Sequence, residues 1–333
     1  MAREASPQST ESGDGLKDSD LGSVDSHNPQ IDGLPRLKRL VWEGLIATGV
    51  LFGLFAILLG DAVFLGRALL PVDFVYTFDP LWADTPPPGF MGTSNPLLSD
   101  VVDQFFPWRA YIYYWLARGE LPLWNTGILA GNSFVGNGQS ALFYPIQAIA
   151  YLLPLTSSFA FTAIIRLLVA ALSTYGYLRL IGRSVPAAYL GAITFSLSGF
   201  IIVWLGHYIS NVVIWLPMLL IALEVLFRTR KMRWVGCLAL VTGVQLLGAH
   251  PETSFQTQLI AGLYAVFLAG RTWLTNGPVA ATGRLAQAGF GVVLGIGLGS
   301  LQVLPFLEQL ARSGFAGERA GMYGSYVFFH PTV

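Results

Sequence analysis

Charge is what this chain has least of. Only 11% of its 333 residues are Asp, Glu, Lys or Arg, and 19 acidic residues cancel 19 basic ones. No basic run suits a phosphate backbone, so no nucleic-acid partner is expected. Cysteine is nearly absent. The single Cys237 excludes an intramolecular disulfide and leaves no basis for a thiolate metal site. It lies in an apolar stretch and reads as a buried packing residue. What the chain has instead is apolar surface, with 53% hydrophobic residues and a mean hydropathy of +0.57, values that exclude an ordinary soluble domain.

That apolar surface is gathered into runs. A hydrocarbon core of ~30 Å takes roughly 20 apolar residues per helix. Seven stretches fit, at about 41–60, 158–181, 186–206, 208–227, 232–249, 254–270 and 285–304. The expected fold is an all-α, polytopic transmembrane helical bundle with a long, partly helical first outer loop at 61–157. Residues 1–35 differ in kind. Ser, Asp, Glu and Gly dominate them, and they read as a disordered cytoplasmic tail ahead of a transmembrane domain at 36–333. The first run, Val41–Gly60, lacks a small-x-small cleavage site and reads as an uncleaved helix.

Lys and Arg set the orientation. Arg36, Lys38, Arg39, Arg179, Arg183, Arg228, Arg230, Lys231, Arg233, Arg271 and Arg284 all fall in one compartment when the runs are threaded alternately. The positive-inside rule makes it the cytoplasm, which places the N-terminus there in a multi-pass cell-membrane protein. Asp100, Asp103, His207, His250, Glu252 and Glu308 fall on the opposite side. Gly291, Gly295 and Gly299 recur every fourth residue and predict a close helix–helix face. Pro217 predicts a kink and Pro305 a helix end.

The outer loop holds the chemistry. An irregular part, 61–96, precedes a helical stretch from about Asp100 to Arg118 that is dense in aromatics. The run Ala141–Leu153, about 13 residues, is too short to cross and reads as re-entrant or interfacial.

Several ordered motifs carry a resemblance. NPLLSDVVDQFFPWR (Asn95–Arg109), GELPLWN (Gly119–Asn125) and GQSALFYP (Gly138–Pro145) come first. Gly206-His207 with Trp215-x-Pro217, GAHPE (Gly248–Glu252) and LQVLPFLEQLARS (Leu301–Ser313) follow. Together they resemble the YfhO family of bacterial membrane proteins over most of residues 40–330. Members are placed in the GT-C class of glycosyltransferases, which take a sugar from a polyprenyl-phosphate carrier at the outer membrane face. The resemblance therefore implies a lipid-linked sugar donor, a cell-envelope glycan or lipid acceptor, and membrane lipids as partners. It also implies a longer chain, so the ending at His330-Pro331-Thr332-Val333 reads as a truncation, with a GT-C type glycosyltransferase and an inactive fragment of one both open for this chain.

A carboxylate in the first outer loop is the base that the resemblance implies, to take the acceptor proton as the lipid phosphate leaves. Asp100 matches it best, in a D-x-x-x-Q-x-x-P pattern with Gln104, and Asp103 is the second choice. In a helix the two acids would share a face at i, i+3. From the residues alone, Ser99 or Asp100 reads equally as an N-cap, with Asp103 in the first turn. His207, His250 and Glu252 lie at outer ends of expected spans, as acceptor or sugar contacts or as interface anchors. His250-x-Glu252 is too close a spacing to be diagnostic of a metal site. Arg166 lies inside the second run, set either for a structural ion pair or for the lipid phosphate. Arg109 is a phosphate contact or a snorkelling residue. Trp124 and Asn125 are expected to help roof a cavity over the histidines. No cofactor follows from the sequence. A transporter or flippase of lipid-linked sugars and a non-catalytic assembly partner are the competing classes.

The topology is tested by labelling in a variant with Cys237 replaced. A cysteine at Thr93 should react with an impermeant maleimide from outside, and one at Thr229 should not. The reverse pattern overturns the orientation.

Overall fold

The computed structural model describes residues 33–128 and 130–313, with side chains from Trp42 onward. Long helices stand at either end of a stretch of short elements. α1 (Gly33–Leu58) leads to α2 (Gly60–Phe64), α3 (Asp73–Phe78), a 3₁₀ turn (Pro96–Leu98) and a π-helical turn (Val101–Phe105). After these come α4 (Phe106–Leu116), an antiparallel pair β1 (Trp124–Asn125) and β2 (Asn132–Ser133), and α5 (Pro145–Ala150). The remainder is α6 (Leu155–Leu180), α7 (Val185–Ser196), α8 (Gly199–Val203), α9 (Ile209–Val213), α10 (Leu216–Thr229) and α11 (Met232–Leu246), then α12 (Pro251–Asn276), α13 (Pro278–Leu298) and α14 (Ser300–Arg312). By internal packing the chain divides into Met1–Leu45 and Ile46–Val333, and every candidate residue lies in the second unit. The tail at 1–32 lies outside the described residues, as do Arg319 and the terminal His330–Val333, while Gly33–Pro35 already belong to α1.

The protein is an all-α helical membrane protein. Leu155–Leu180, Ile209–Thr229 and Pro278–Leu298 are long and apolar enough to cross a bilayer. Trp42–Leu58, α7 and α11 are apolar but shorter. α12 has the length but is more polar. Large apolar side chains stand exposed along α12 and α13, among them Phe255, Leu259, Leu263, Val266, Phe290 and Val293. Water would not tolerate such continuous faces, whereas lipid requires them. The seven expected runs thus correspond to helices, but not one to one. The run at 186–206 breaks at Leu197–Ser198, where the Ser198 side chain caps α8. The run at 285–304 stops at Leu298 and restarts as α14.

Pro217 interrupts the Ile209–Thr229 run as expected, with the break just before it at Ile214–Trp215, where its missing N–H leaves no bond to Val213. Two other expectations about single residues are corrected. Pro305 ends nothing, being inside α14, because the helix that it was expected to close had already ended at Leu298. Cys237 is exposed on α11 and not buried, since the packed face of that helix is formed by Val235, Leu238 and Ala239.

The segment of short elements between α1 and α6 packs onto the bundle. α5 is six residues long, or about 9 Å at the helical rise, and does not cross. Within 61–96, two short helices stand where irregular chain was expected. Val101, Phe105, Ala141 and Tyr144 share a core with Phe159, Leu167 and Tyr208, and Phe105 stacks on Tyr208 with centroids 4.0 Å apart. Burying a phenyl ring of this kind contributes roughly 1.5–3 kcal/mol. Further along, the Gln302 amide donates to the Val135 carbonyl at 2.6 Å. Gly138, at φ +75°, lies against Phe306 so closely that a Cβ would stand 2.6 Å from the ring.

A second core joins α10, α11, α12 and α13. Here the glycine stripe does what its spacing predicts. A Cβ on Gly295 would come within 2.5 Å of Thr242 Cβ, and one on Gly291 or Gly299 would press on Leu238 or Leu246. Gly297, two residues along, has nothing within 4 Å. Gly295→Ala should therefore destabilise the detergent-solubilised protein by about 1–3 kcal/mol. Gly297→Ala should leave its thermal midpoint unchanged or slightly higher. Equal midpoints for the two variants would remove the packing role.

Candidate functional site

Asp100 stands at the head of the π-helical turn, and that turn decides which neighbours it has. Its carboxylate caps nothing, since its side chain accepts no hydrogen bond from the amides of the turn. Oδ1 instead accepts from the Gln104 amide at 3.0 Å, and Oδ2 faces His207 Nε2 at 3.3 Å. In a turn closed by i→i+5 bonds each residue advances about 80°, so the fourth residue on comes back beside the first and the third does not. Gln104 accordingly meets Asp100. Asp103, expected on the same face from α-helical spacing, is exposed, and no hydrogen bond joins it to this group among the described residues. The Asp100 side chain is 39% exposed, so it is both oriented and accessible.

His207 sits in the turn between α8 and α9, with its ring enclosed by Phe105, Trp204 and His250 at centroid distances of 4.8, 5.2 and 5.8 Å. Its Nδ1 accepts the Ile209 backbone N–H at 3.1 Å, which puts the ring proton on Nε2, pointing at Asp100. Burial pushes its pKa down to about 4, although the hydrogen bond to Asp100 and its charge pull the other way. The ring is neutral at physiological pH.

His250 is the N-cap of α12. Its Nδ1 accepts from the Thr253 amide at 3.3 Å and lies 2.9 Å from the Thr253 hydroxyl. Burial lowers its pKa as well. The neutral ring then carries its proton on Nε2, which has no protein partner among the described residues. The preceding Ala249 is buried at φ 67°, a left-handed conformation costing about 1–2 kcal/mol for a residue with a Cβ. Glu252 is exposed one turn away and lies within electrostatic reach of His250. Among the described residues, no three His, Cys, Asp or Glu stand close enough together to hold a metal ion.

The two arginines are scaffold. Arg109 is 1% exposed, donates to Ser158 Oγ and Gln147 Oε1 at 3.0 and 3.2 Å, and lies over the Phe159 ring. Arg166 is 2% exposed, and its Nε donates to Asn211 Oδ1 at 2.8 Å and its Nη1 to the Leu205 carbonyl. Neither meets a carboxylate among the described residues. Each is buried and held by protein acceptors but keeps one buried donor without a partner, Arg109 Nε and Arg166 Nη2. Arg166 orders the site. It holds the turn before His207 directly, and through Asn211, whose amide donates to the Gly248 carbonyl at 3.2 Å, the turn before His250. Gly248 fits because a Cβ there would stand 3.2 Å from Asn211 Cβ. Trp124 and Asn125 are not brought to this cluster. The Trp124 carbonyl accepts from Tyr111, and its side chain helps line a separate cavity of about 430 Å³ against α14. The Asn125 side chain closes its own turn on Gly127.

The cluster is flanked by open space. A cavity of about 420 Å³ lies beside the His207 turn, bounded by Asn95, Leu98, Leu205 and Gly206. A largely apolar one of about 460 Å³ adjoins the start of α12 at Pro251 and Ser254. A family model described as bacterial membrane protein YfhO matches residues 90–323. The chain belongs to the YfhO family. The matched region contains Asp100, Gln104, Arg166, Asn211, His207 and His250, so the whole cluster falls inside the family's sequence. Neither the curated proteins nor the solved structures compared with the chain include a match. Sequence reading missed Asn211 and Gln147, uncharged side chains inside apolar runs that carry no motif of their own, and did not single out Tyr144 within GQSALFYP.

The depressed His207 pKa has a sign. Protons bind less well to the folded chain than to the unfolded one, whose His titrates near 6.5. The stability contributed is complete above that value and is lost as pH falls toward about 4. Thermal midpoints in detergent should decline over that window and level off below it, and His207→Gln should shrink the decline. An unchanged slope in the variant would refute the assignment.

Proposed function

We propose that this YfhO-family protein transfers a glycosyl group from a polyprenyl-phosphate carrier to a hydroxyl of a cell-envelope acceptor at the outer membrane face. The observation that carries this reading is the part-exposed Asp100 carboxylate held by Gln104 and a neutral His207. A general base must be oriented and reachable, and the Gln104 amide and the His207 ring fix the direction of this carboxylate while part of it stays open. In the step proposed, the acceptor O–H gives its proton to Asp100 as the oxygen attacks the anomeric carbon. The bond between that carbon and the carrier phosphate breaks, and the phosphate keeps the electron pair. The His250 Nε2–H is the free donor for a sugar or phosphate oxygen. The apolar cavity beside α12 offers the prenyl chain a place next to that donor. The N-terminus lies in the cytoplasm in this reading, with α1, α7, α11 and α12 adding to the three long apolar spans.

The competing classes, a flippase of lipid-linked sugars or a non-catalytic assembly partner, need no base. Membranes containing Asp100→Asn should transfer labelled sugar from a polyprenyl-phosphate donor about 10²–10⁴ times more slowly than wild type. Their thermal stability should stay close to wild type, and Asp103→Asn should behave as wild type. Undiminished transfer by Asp100→Asn would end the proposal.

A further inference from the structure

At the opposite end of the bundle from Asp100, the last turns of α10 and α12 and the first turns of α13 enclose a second polar cavity of about 360 Å³. Ile209–Thr229, which reaches from one site toward the other, is 21 residues long, or about 30 Å at the helical rise. Glu224, Arg228, Arg271 and Arg284 line the cavity together with Thr272 and Asn276. Glu224 is 1% exposed and its carboxylate is already occupied. Oε1 accepts from Arg228 Nε at 2.7 Å and Nη2 at 2.5 Å, and Oε2 accepts from the Tyr264 hydroxyl at 2.6 Å. Arg271 reaches the same carboxylate only at 3.8 Å, with its side chain 58% exposed. Arg284 gives one bond to Thr272 Oγ1 at 3.0 Å, while its Nε is buried without a partner.

Three guanidiniums face one satisfied carboxylate, which leaves two positive charges in excess inside a concave site. Donors remain on Arg271, Arg284 and the Asn276 amide, whose oxygen already accepts from Thr275. A phosphate group, singly charged in a diester headgroup or up to doubly charged as the free ion, fits that charge and donor set, since guanidinium forks bind phosphate oxygens in pairs. Residues next to the cavity lining mark its depth in the membrane. Trp273 and Leu274, adjoining Arg271 and Thr272, are 58% and 87% exposed, which is the signature of a helix end lying at the headgroup level.

We propose that this cavity is a binding site for a phosphate group, presented by an anionic lipid headgroup or as a free phosphate. It is independent of the chemistry proposed for Asp100. The function would be to anchor the ends of α10, α12 and α13 to the membrane surface.

The test uses the full chain in phosphatidylcholine nanodiscs, with and without phosphatidylglycerol, and separately in detergent with inorganic phosphate. Retained lipid is read by native mass spectrometry and stability by thermal unfolding. Phosphatidylglycerol should be retained and raise the midpoint if the lipid is the source. Stabilisation by inorganic phosphate alone would assign the site to a free anion. Arg271→Gln and Arg284→Gln should each weaken the effect about tenfold, Arg284→Lys should retain part of it, and Arg118→Gln, on the exposed end of α4, should change nothing. If Arg284→Gln fails to fold, the comparison of Arg284→Lys and Arg271→Gln decides. No response to either phosphate source, or equal responses in wild type and the Gln variants, overturns the proposal.

Discussion

Arg166 places a positive charge inside the long apolar helix α6, about three turns from its N-terminal end, and the geometry of the candidate site follows from how that charge is accommodated. A lone arginine at the centre of a membrane helix costs at least ~2.5–3.5 kcal/mol. Hydrogen bonds from a charged donor return about 1.5–3 kcal/mol each, so the Leu205 carbonyl and Asn211 together roughly offset the penalty. Those acceptors are not incidental. Leu205 lies two residues before His207, and Asn211 ties down Gly248, two residues before His250. Tyr144 closes the arrangement from the segment between α4 and α6, donating to the Asn211 carbonyl at 3.1 Å while accepting from the Trp215 indole at 3.0 Å. A charge that lipid would reject thus orders two turns that have no regular secondary structure to hold them.

Much of the fold was legible in residue patterns, because a bilayer imposes length and polarity on any helix that crosses it. The glycine stripe of α13 was legible for a similar reason, as helix faces repeat every four residues. What the patterns hid were breaks. Val185–Val203 is apolar throughout, and only the Ser198 cap marks where α7 yields to α8. Gly299 divides α13 from α14 without any proline signal, while Pro305, the signal that is present, is carried within a helix. Hydropathy averages over such points.

The site was legible in part, and the division is instructive. Asp100 and Gln104 were found by their spacing in a motif, and the histidines by their positions at the ends of apolar runs. Asp103 was misplaced because an α-helical period was assumed where the chain makes a π turn, an irregularity that spacing alone does not reveal. Arg109 looked like a ligand contact because it is charged and near the outer interface. Its acceptors, Ser158 and Gln147, lie 49 and 38 residues away and come together with it only in the folded chain. Trp124 and Asn125 belong to a compact hairpin whose neighbours are on α14.

The way His207 is held limits what can travel through it. Its Nδ1 is engaged by the Ile209 amide, so the ring can take up a second proton only by giving up that backbone bond. The imidazole is therefore a fixed donor and no part of a proton wire. In the transfer proposed above, a proton captured by Asp100 would have no onward route through its neighbour, because Gln104 cannot carry one either. It must leave by the side from which it came, directly to solvent or to the departing group. The carboxylate is a terminus, and the rhythm of the site would be set by how quickly that exposed edge is rewetted.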